Sequence, residues 1–154
     1  MTQPLKVYRI VKTKWREKAL DGEGAKLYGG RWNSKGKACV YCASTEALAQ
    51  LEMLVHLQRF ELLQHYTLLE LTLNTDQVMR LDTLPDNWRT DPAPAETATI
   101  GDQWLNQAPS VALQVPSAIA TNDNNFLLNP IHTDFNAIKK TVRALPFQFD
   151  PRLK

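Results

Sequence analysis

Ala38-Cys39-Val40-Tyr41-Cys42-Ala43, running straight into Ser44-Thr45-Glu46-Ala47-Leu48, is the stretch whose reading decides the fold. Its first half is short, apolar and β-branched or aromatic at the centre, which reads as a strand. Its second half opens a helix predicted over 45–59. Ser44 is a natural N-cap, and Glu46 in the first turn suits the helix dipole. Ala47, Leu48, Leu51, Leu54, Val55 and Gln58 recur at helical spacing, so that stripe is expected to face the core. Glu52 then lies on the flank of the stripe, at the boundary between core and surface, with His56 one turn further on. The strand also carries both cysteines of the chain, Cys39 and Cys42. Residues three apart on a strand point to opposite faces, so this C-x-x-C reads as two buried, reduced thiols. A structural zinc site needs four ligands, and no second cysteine pair supplies them.

Upstream, Leu5-Lys6-Val7-Tyr8-Arg9-Ile10-Val11 alternates apolar and polar side chains and reads as another strand. Five of the six glycines (Gly22, Gly24, Gly29, Gly30 and Gly36) fall between these two strands. The clustering predicts an irregular loop over 12–36 in which the backbone turns tightly or approaches a ligand closely. Downstream, 66–73 alternates again as a strand, and 74–94, rich in Asp, Asn, Thr and Pro, reads as loop with at most a short helix. A helix is predicted over 95–106, strands over 110–116 and 124–128, a short helix over 133–138, and a last strand over 140–145 with 148–149. The whole is a mixed α+β chain, a single domain over 1–154 with short, mostly antiparallel strands and a few helices.

Composition narrows the function classes. With 154 residues, 44% of them hydrophobic, the chain can bury one real core. No apolar run approaches the roughly 18 residues that a membrane span needs, and no apolar stretch follows a basic start as in a secretory signal. A cytoplasmic protein with no membrane contact is therefore expected. The net charge of +2 is spread among acids, which argues against direct nucleic-acid binding. His56, His65 and His132 lack metal-ligand spacing, so no metal is expected. No G-x-S-x-G elbow and no phosphate loop are present.

Three features could carry chemistry. In Tyr28-Gly29-Gly30-Arg31-Trp32-Asn33, two glycines bare the backbone beside an arginine whose planar fork suits phosphate or carboxylate; the same text also fits a glycine turn with a surface arginine. Tyr41 on its strand and Glu52 on the next helix can meet at one cleft mouth. Glu52 is then either simply solvated or a carboxylate held at low dielectric, where it stabilises developing positive charge. Finally, Gln114-Val115-Pro116-Ser117-Ala118 and Leu127-Leu128-Asn129-Pro130-Ile131-His132 each end a strand on a proline beside a small polar residue, which could also be plain strand exits.

Taken in order, these pieces resemble the RES domain, named for an arginine, a glutamate and a serine. The matching text runs through Tyr8-Arg9, Gly22-Glu23-Gly24-Ala25, Tyr28 to Asn33, Val40-Tyr41, Leu48-Ala49, Leu51-Glu52 and Val55-His56-Leu57. It continues through Leu84-Pro85, Trp88, Gly101 to Leu105, Val115 to Ala118 and Asn125 to Pro130. Each fragment is weak alone, but the ordered series spans nearly the whole chain. Arg31, Glu52 and Ser117 stand at the three name-giving positions, and the text beyond Pro130 is less recognisable.

The resemblance implies an ADP-ribosyltransferase-like fold and a bacterial toxin neutralised by an antitoxin of the Xre helix-turn-helix type. A homodimer is compatible with it. It implies NAD+ as substrate, consumed by hydrolysis or phosphorolysis of the nicotinamide–ribose bond, with mono-ADP-ribosylation of a protein as the alternative. On that basis Glu52 would oppose the positive charge of the ribose, and Arg31 with Gly29 and Gly30 would grip the pyrophosphate. Tyr41 would stack on nicotinamide, and Ser117 would bond the ribose or a neighbouring catalytic side chain. Arg9 and Asn129 are further candidates for the NAD+ site, with His56 orienting Glu52. The rival from another class is a non-enzymatic protein-interaction module, which would keep the apolar pattern without needing Arg31, Tyr41, Glu52 and Ser117 together.

Overall fold

The computed structural model describes residues 2–57 and 64–153. Its frame is the pairing of two nine-residue strands, β1 (Pro4–Lys12) and β3 (Tyr66–Asn74), antiparallel from Pro4 opposite Asn74 to Lys12 opposite Tyr66. Beside them run β2 (Val40–Ala43), β4 (Val78–Arg80), β5 (Ala112–Pro116), β6 (Asn124–Leu128) and β7 (Arg143–Leu145). Together they form one seven-stranded sheet in the order β4-β5-β6-β2-β1-β3-β7. Among the described residues only the β4–β5 pair is parallel, so the expectation of mostly antiparallel strands holds.

Alternation along the strands gives the sheet two apolar faces, and each is covered. Ile10, Ala43 and Leu68 on one face pack under Leu48 and Ala49 of α2 (Glu46–His56). On the same face, Leu113, Val115 and Leu127 pack under Trp104 and Leu105 of α3 (Ala95–Gln107). The opposite face, with Val7, Val11, Val40, Cys42, Leu71 and Phe126, is closed by Ala19 and Leu20 and by Phe135 and Ile138 of α4 (Phe135–Lys139). The two cysteines do point apart: Cys42 joins this second core and Cys39 the cluster under α3. Both are free and buried. Burial pushes the Cys42 thiol up to about 12 and the Cys39 thiol higher still, so neither is a ready nucleophile.

Several local expectations change. The segment 12–36 is not irregular throughout. It holds a 3-10 stretch (Thr13–Lys18) and the short helix α1 (Glu23–Tyr28), which sits between Gly22 and Gly29, both at positive φ. Glycine is required at Gly22, where a side chain would also press on the backbone of Cys39. The α2 cap is Thr45 rather than Ser44: its hydroxyl accepts the Leu48 N–H at 3.0 Å. Residue 145 ends the last strand, and 148–149 are not part of the sheet.

The buried stripe of α2 is also displaced from the expected one. Leu48 and Ala49 are buried, while Ala47, Leu51 and Val55 face solvent. The helix carries apolar residues on two adjacent faces, and the sheet takes the one beginning at Leu48. Gln58 and the expected helix end near Arg59 lie outside the described residues. Among the described residues, no helix is long and apolar enough to cross a membrane.

Candidate active site

Glu52 lies in the middle of α2, and the displaced register turns it toward the sheet rather than along the surface. It is partly buried. One of its carboxylate oxygens, Oε1, accepts two hydrogen bonds, from Ser117 Oγ at 2.9 Å and from Asn125 Nδ2 at 2.8 Å. The other, Oε2, has no hydrogen-bond partner among the described residues. The carboxylate is thus anchored through one atom and open through the other.

Ser117 follows the end of β5 and is fully buried. Its oxygen accepts the backbone N–H groups of Ile119 and Ala120, both at 3.1 Å. With its lone pairs so occupied, the single hydroxyl proton is directed to Glu52. Ser117 is therefore a donor to the carboxylate, and of the two partners considered for it, the neighbouring acidic side chain is the one observed. Asn125 is the second residue of β6, opposite Ala43 of β2 and Val115 of β5. Tyr41 lies two residues from Ala43 on the same strand, so its ring projects from the same face of the sheet.

Arg31 is held at the tip of a tight turn closed by paired backbone bonds between Gly30 and Asn33. Its Nη1 donates to the carbonyls of Trp88 and Thr90, both at 2.8 Å. Nε and Nη2 have no hydrogen-bond partner among the described residues. This leaves the edge of the guanidinium that reads a phosphate or carboxylate with two parallel bonds. The 88–90 segment also ties the arginine to the glutamate side of the site. Between the two carbonyls that hold Arg31, Arg89 Nε donates at 2.8 Å to the carbonyl of Ala118, next to Ser117. Arg31, the 88–90 segment, Ser117 and Glu52 are thus linked in one hydrogen-bonded network.

The turn is fixed from inside by Asn33, to which the sequence assigns no role, and by Tyr41. Buried Asn33 donates through Nδ2 to the carbonyls of Ala25, Ser34 and Lys37, and its Oδ1 accepts the Tyr41 hydroxyl at 2.5 Å. The same hydroxyl accepts the Trp32 N–H at 3.2 Å. Burial raises the Tyr41 phenol well above its ordinary value, so it stays a neutral donor. Gly30 is needed because a Cβ there would come within 2.7 Å of that phenol oxygen. From the other side α3 presses on the turn: Thr97 Oγ1 donates to the Arg31 carbonyl at 2.6 Å, and Asp102 accepts the Ser34 N–H at 2.9 Å. At Gly101 a side chain would overlap the carbonyl oxygen of Trp32. Gly101, Asp102 and Asn125 carry no sequence sign beyond their place in the ordered RES series, Thr97 lies outside that series, and Asn33 stands in the 28–33 stretch without a role of its own.

The remaining candidates are placed differently. Arg9 pairs with Leu69 and lies on the face of β1 opposite Tyr8, where it donates to the carbonyls of Ala19 and Tyr41, each at 2.9 Å. Asn129 is buried and joins the Leu105 carbonyl to the Ile131 N–H. Both tie backbone segments together. His56 is exposed at the end of α2, and the observed partners of Glu52 are Ser117 and Asn125. Gly29, at φ 72°, ends α1 and gives the chain the turn that delivers Arg31.

Known proteins resemble the chain along nearly its whole length. The chain is 45% identical over 150 residues to a protein named Toxin Res from Yersinia enterocolitica, covering 96% of this chain and 99% of that one. It is 39% identical over 140 residues to the Prs ADP-ribosylating toxin of a Sphingobium species, covering 87% of this chain and 86% of the relative. Among solved structures, a chain of the M. tuberculosis MbcT–MbcA toxin–antitoxin complex shares the fold with a TM-score of 0.68 at 18% identity, over 99% of this chain and 88% of that one. The model of the RES domain matches residues 6–150, and the chain belongs to the RES-domain family.

Proposed function

We propose that this protein is the toxin of a toxin–antitoxin pair and that it breaks the bond between nicotinamide and ribose in NAD+. The observation that carries the reading is the state of Glu52: a partly buried carboxylate with Oε1 clamped by Ser117 and Asn125 and Oε2 open. Nicotinamide in NAD+ is already a cation. When the C1′–N bond breaks, the electron pair goes to the ring nitrogen and neutral nicotinamide leaves without a proton. The positive charge passes to the ribose, as in glycoside cleavage. What the protein must supply is a fixed negative charge beside the ribose, and an anchored carboxylate with one free oxygen supplies it at little reorganisation cost. Water or phosphate then adds at C1′ and gives up its proton.

The open edge of Arg31 suits the pyrophosphate, presented where Gly29 and Gly30 bare the backbone. The Tyr41 ring, its hydroxyl locked into the turn, offers a fixed plane for nicotinamide. Arg9 and Asn129 act as supports of this scaffold. The likeness to toxins named Res and to a chain of a toxin–antitoxin complex supports an antitoxin partner, for which we propose the Xre helix-turn-helix class, acting in the cytoplasm.

The test is nicotinamide release from NAD+ by the purified, antitoxin-free protein, beside a Glu52→Gln variant. The variant keeps the shape and loses the charge, and its turnover is expected to fall by roughly 10²-fold or more. Near-normal release by Glu52→Gln would refute the central assignment. A second reading, transfer of ADP-ribose to a protein, is favoured by the relative named as an ADP-ribosylating toxin. The two part on product: free ADP-ribose or ADP-ribose 1″-phosphate in the first case, labelled protein in the second.

A further inference from the structure

We propose that Asn125 is a positioning residue for Glu52, kept at the site for the carboxylate's orientation and at the expense of the fold. Asn125 Nδ2 shares Oε1 of Glu52 with the Ser117 hydroxyl. Among the described residues, its own Oδ1 is the one buried side-chain oxygen or nitrogen left without a partner. Its cross-strand neighbours, Ala43 and Val115, carry no side-chain polar group that could satisfy it. A carboxamide can sit two ways round. Reversed, it would set a carbonyl oxygen against the carboxylate oxygen, so the observed orientation is dictated by Glu52 as acceptor.

Such an orphaned oxygen in a native interior calls for an explanation. Between an alanine and a valine in mid-sheet, an apolar residue would serve stability better, since it would bring no unpaired polar atom. What the asparagine adds is the second donor on Oε1. One donor leaves the carboxylate free to swing about that contact, whereas two donors, one just past the end of β5 and one on β6, fix its plane and so fix where Oε2 points. Ser117 cannot do this alone, because its hydroxyl has one proton.

The kinetic part of the test rests on the NAD+ reading; the thermal part does not. Asn125→Leu keeps the approximate shape and removes both polar atoms. It is expected to lower kcat for nicotinamide release by roughly 10-fold or more while KM for NAD+ stays within about 2-fold, the mark of an interaction made in the transition state. Its Tm should equal or exceed that of the parent protein. In the Glu52→Gln background it should cause little further loss of rate, because the two residues act as a unit. Asn125→Asp, of the same shape but without donors and with a second carboxylate, should lose at least as much turnover; it serves as the check if the leucine variant folds poorly. A raised KM with kcat intact would make Asn125 a substrate ligand instead. A lowered Tm with both constants intact would make it merely structural, and either result overturns the proposal. If the parent protein releases no nicotinamide, the NAD+ reading fails. The clamp is then judged by heat alone: a Tm shift for Asn125→Leu that is the same with Glu52 and with Glu52→Leu would overturn it too.

Discussion

The two charged residues of the site are held in opposite ways. The turn carrying Arg31 is over-determined: Asn33 makes four hydrogen bonds inside it, the Tyr41 hydroxyl two, and α3 fastens it through Thr97, Asp102 and the bare backbone at Gly101. Glu52 is held by two donors on a single oxygen, from a helix whose outer face is in water. The first arrangement spends structure on immobility and leaves a guanidinium edge free to grip. The second spends little and leaves a carboxylate oxygen free to respond. On the proposed function, Arg31 is a binding group, which tolerates being built into the scaffold, whereas Glu52 meets developing charge and needs an open face and a fixed direction. The contrast predicts that changes around Arg31 will be felt first as stability and those around Glu52 first as turnover.

Gly101→Ala is the most severe way to test the rigid side. The added methyl would overlap the Trp32 carbonyl, which belongs to backbone and cannot rotate away. Either α3 moves off the sheet or the turn moves off α3. Overpacking of this kind costs about 3 kcal/mol or more when no side chain can yield. Denaturant unfolding should register a loss of that size, and whatever folds should show a raised KM for NAD+ because Arg31 has shifted. A variant as stable as the parent would show that the turn is looser than its contacts indicate.

Much of this contrast was beyond the reach of sequence, and the reason is distance along the chain. The long strands β1 and β3 and the helix α3 announce themselves because alternation and helical spacing are local signals. The segments holding Arg31, Glu52 and Ser117 stand out by residue chemistry, but what joins them into one reading is an ordered series of short matches, a different kind of information. The bonds that make them a site join residues far apart: Ser117 and Asn125 lie 65 and 73 positions from Glu52, and Thr97 lies 66 from Arg31. No periodicity reports such pairs. The α1 helix was missed because two glycines and polar flanks mask it, although those glycines are what start and stop it. The N-cap was displaced by one position because Ser44 and Thr45 are equally able caps, and only the backbone decides between them.

Tyr41→Phe probes the same turn more gently and separates two roles of one side chain. Losing the hydroxyl leaves the buried Oδ1 of Asn33 without its donor at 2.5 Å and the Trp32 N–H without an acceptor. Stranding a buried acceptor costs about 1–3 kcal/mol. The aromatic plane remains, so KM for NAD+ should change little if that plane is what nicotinamide meets. A stability loss with KM intact would place the hydroxyl in the scaffold and the ring in the site. A large rise in KM with stability unchanged would reverse the comparison, making the turn tolerant and the hydroxyl a ligand.

The smallest effect is expected on the outer face of α2, and it bears on how lightly Glu52 is anchored. Leu51 is 42% and Val55 59% exposed, whereas Leu48 is 2% exposed. Periodicity alone ranks these residues together, since all belong to one apolar stripe of the sequence. The structure divides them, because the helix meets the sheet through Leu48 and Ala49. Leu51→Lys should therefore change unfolding free energy by no more than about 0.5 kcal/mol, the range for exposed positions. It should also leave nicotinamide release intact, since the carboxylate is positioned by Ser117 and Asn125 and not by its helical neighbours. A loss of several kcal/mol would mean that α2 is rotated toward the stripe expected from sequence. That rotation would carry Glu52 away from both donors, so this mild surface substitution is also a direct check on the register that makes the site.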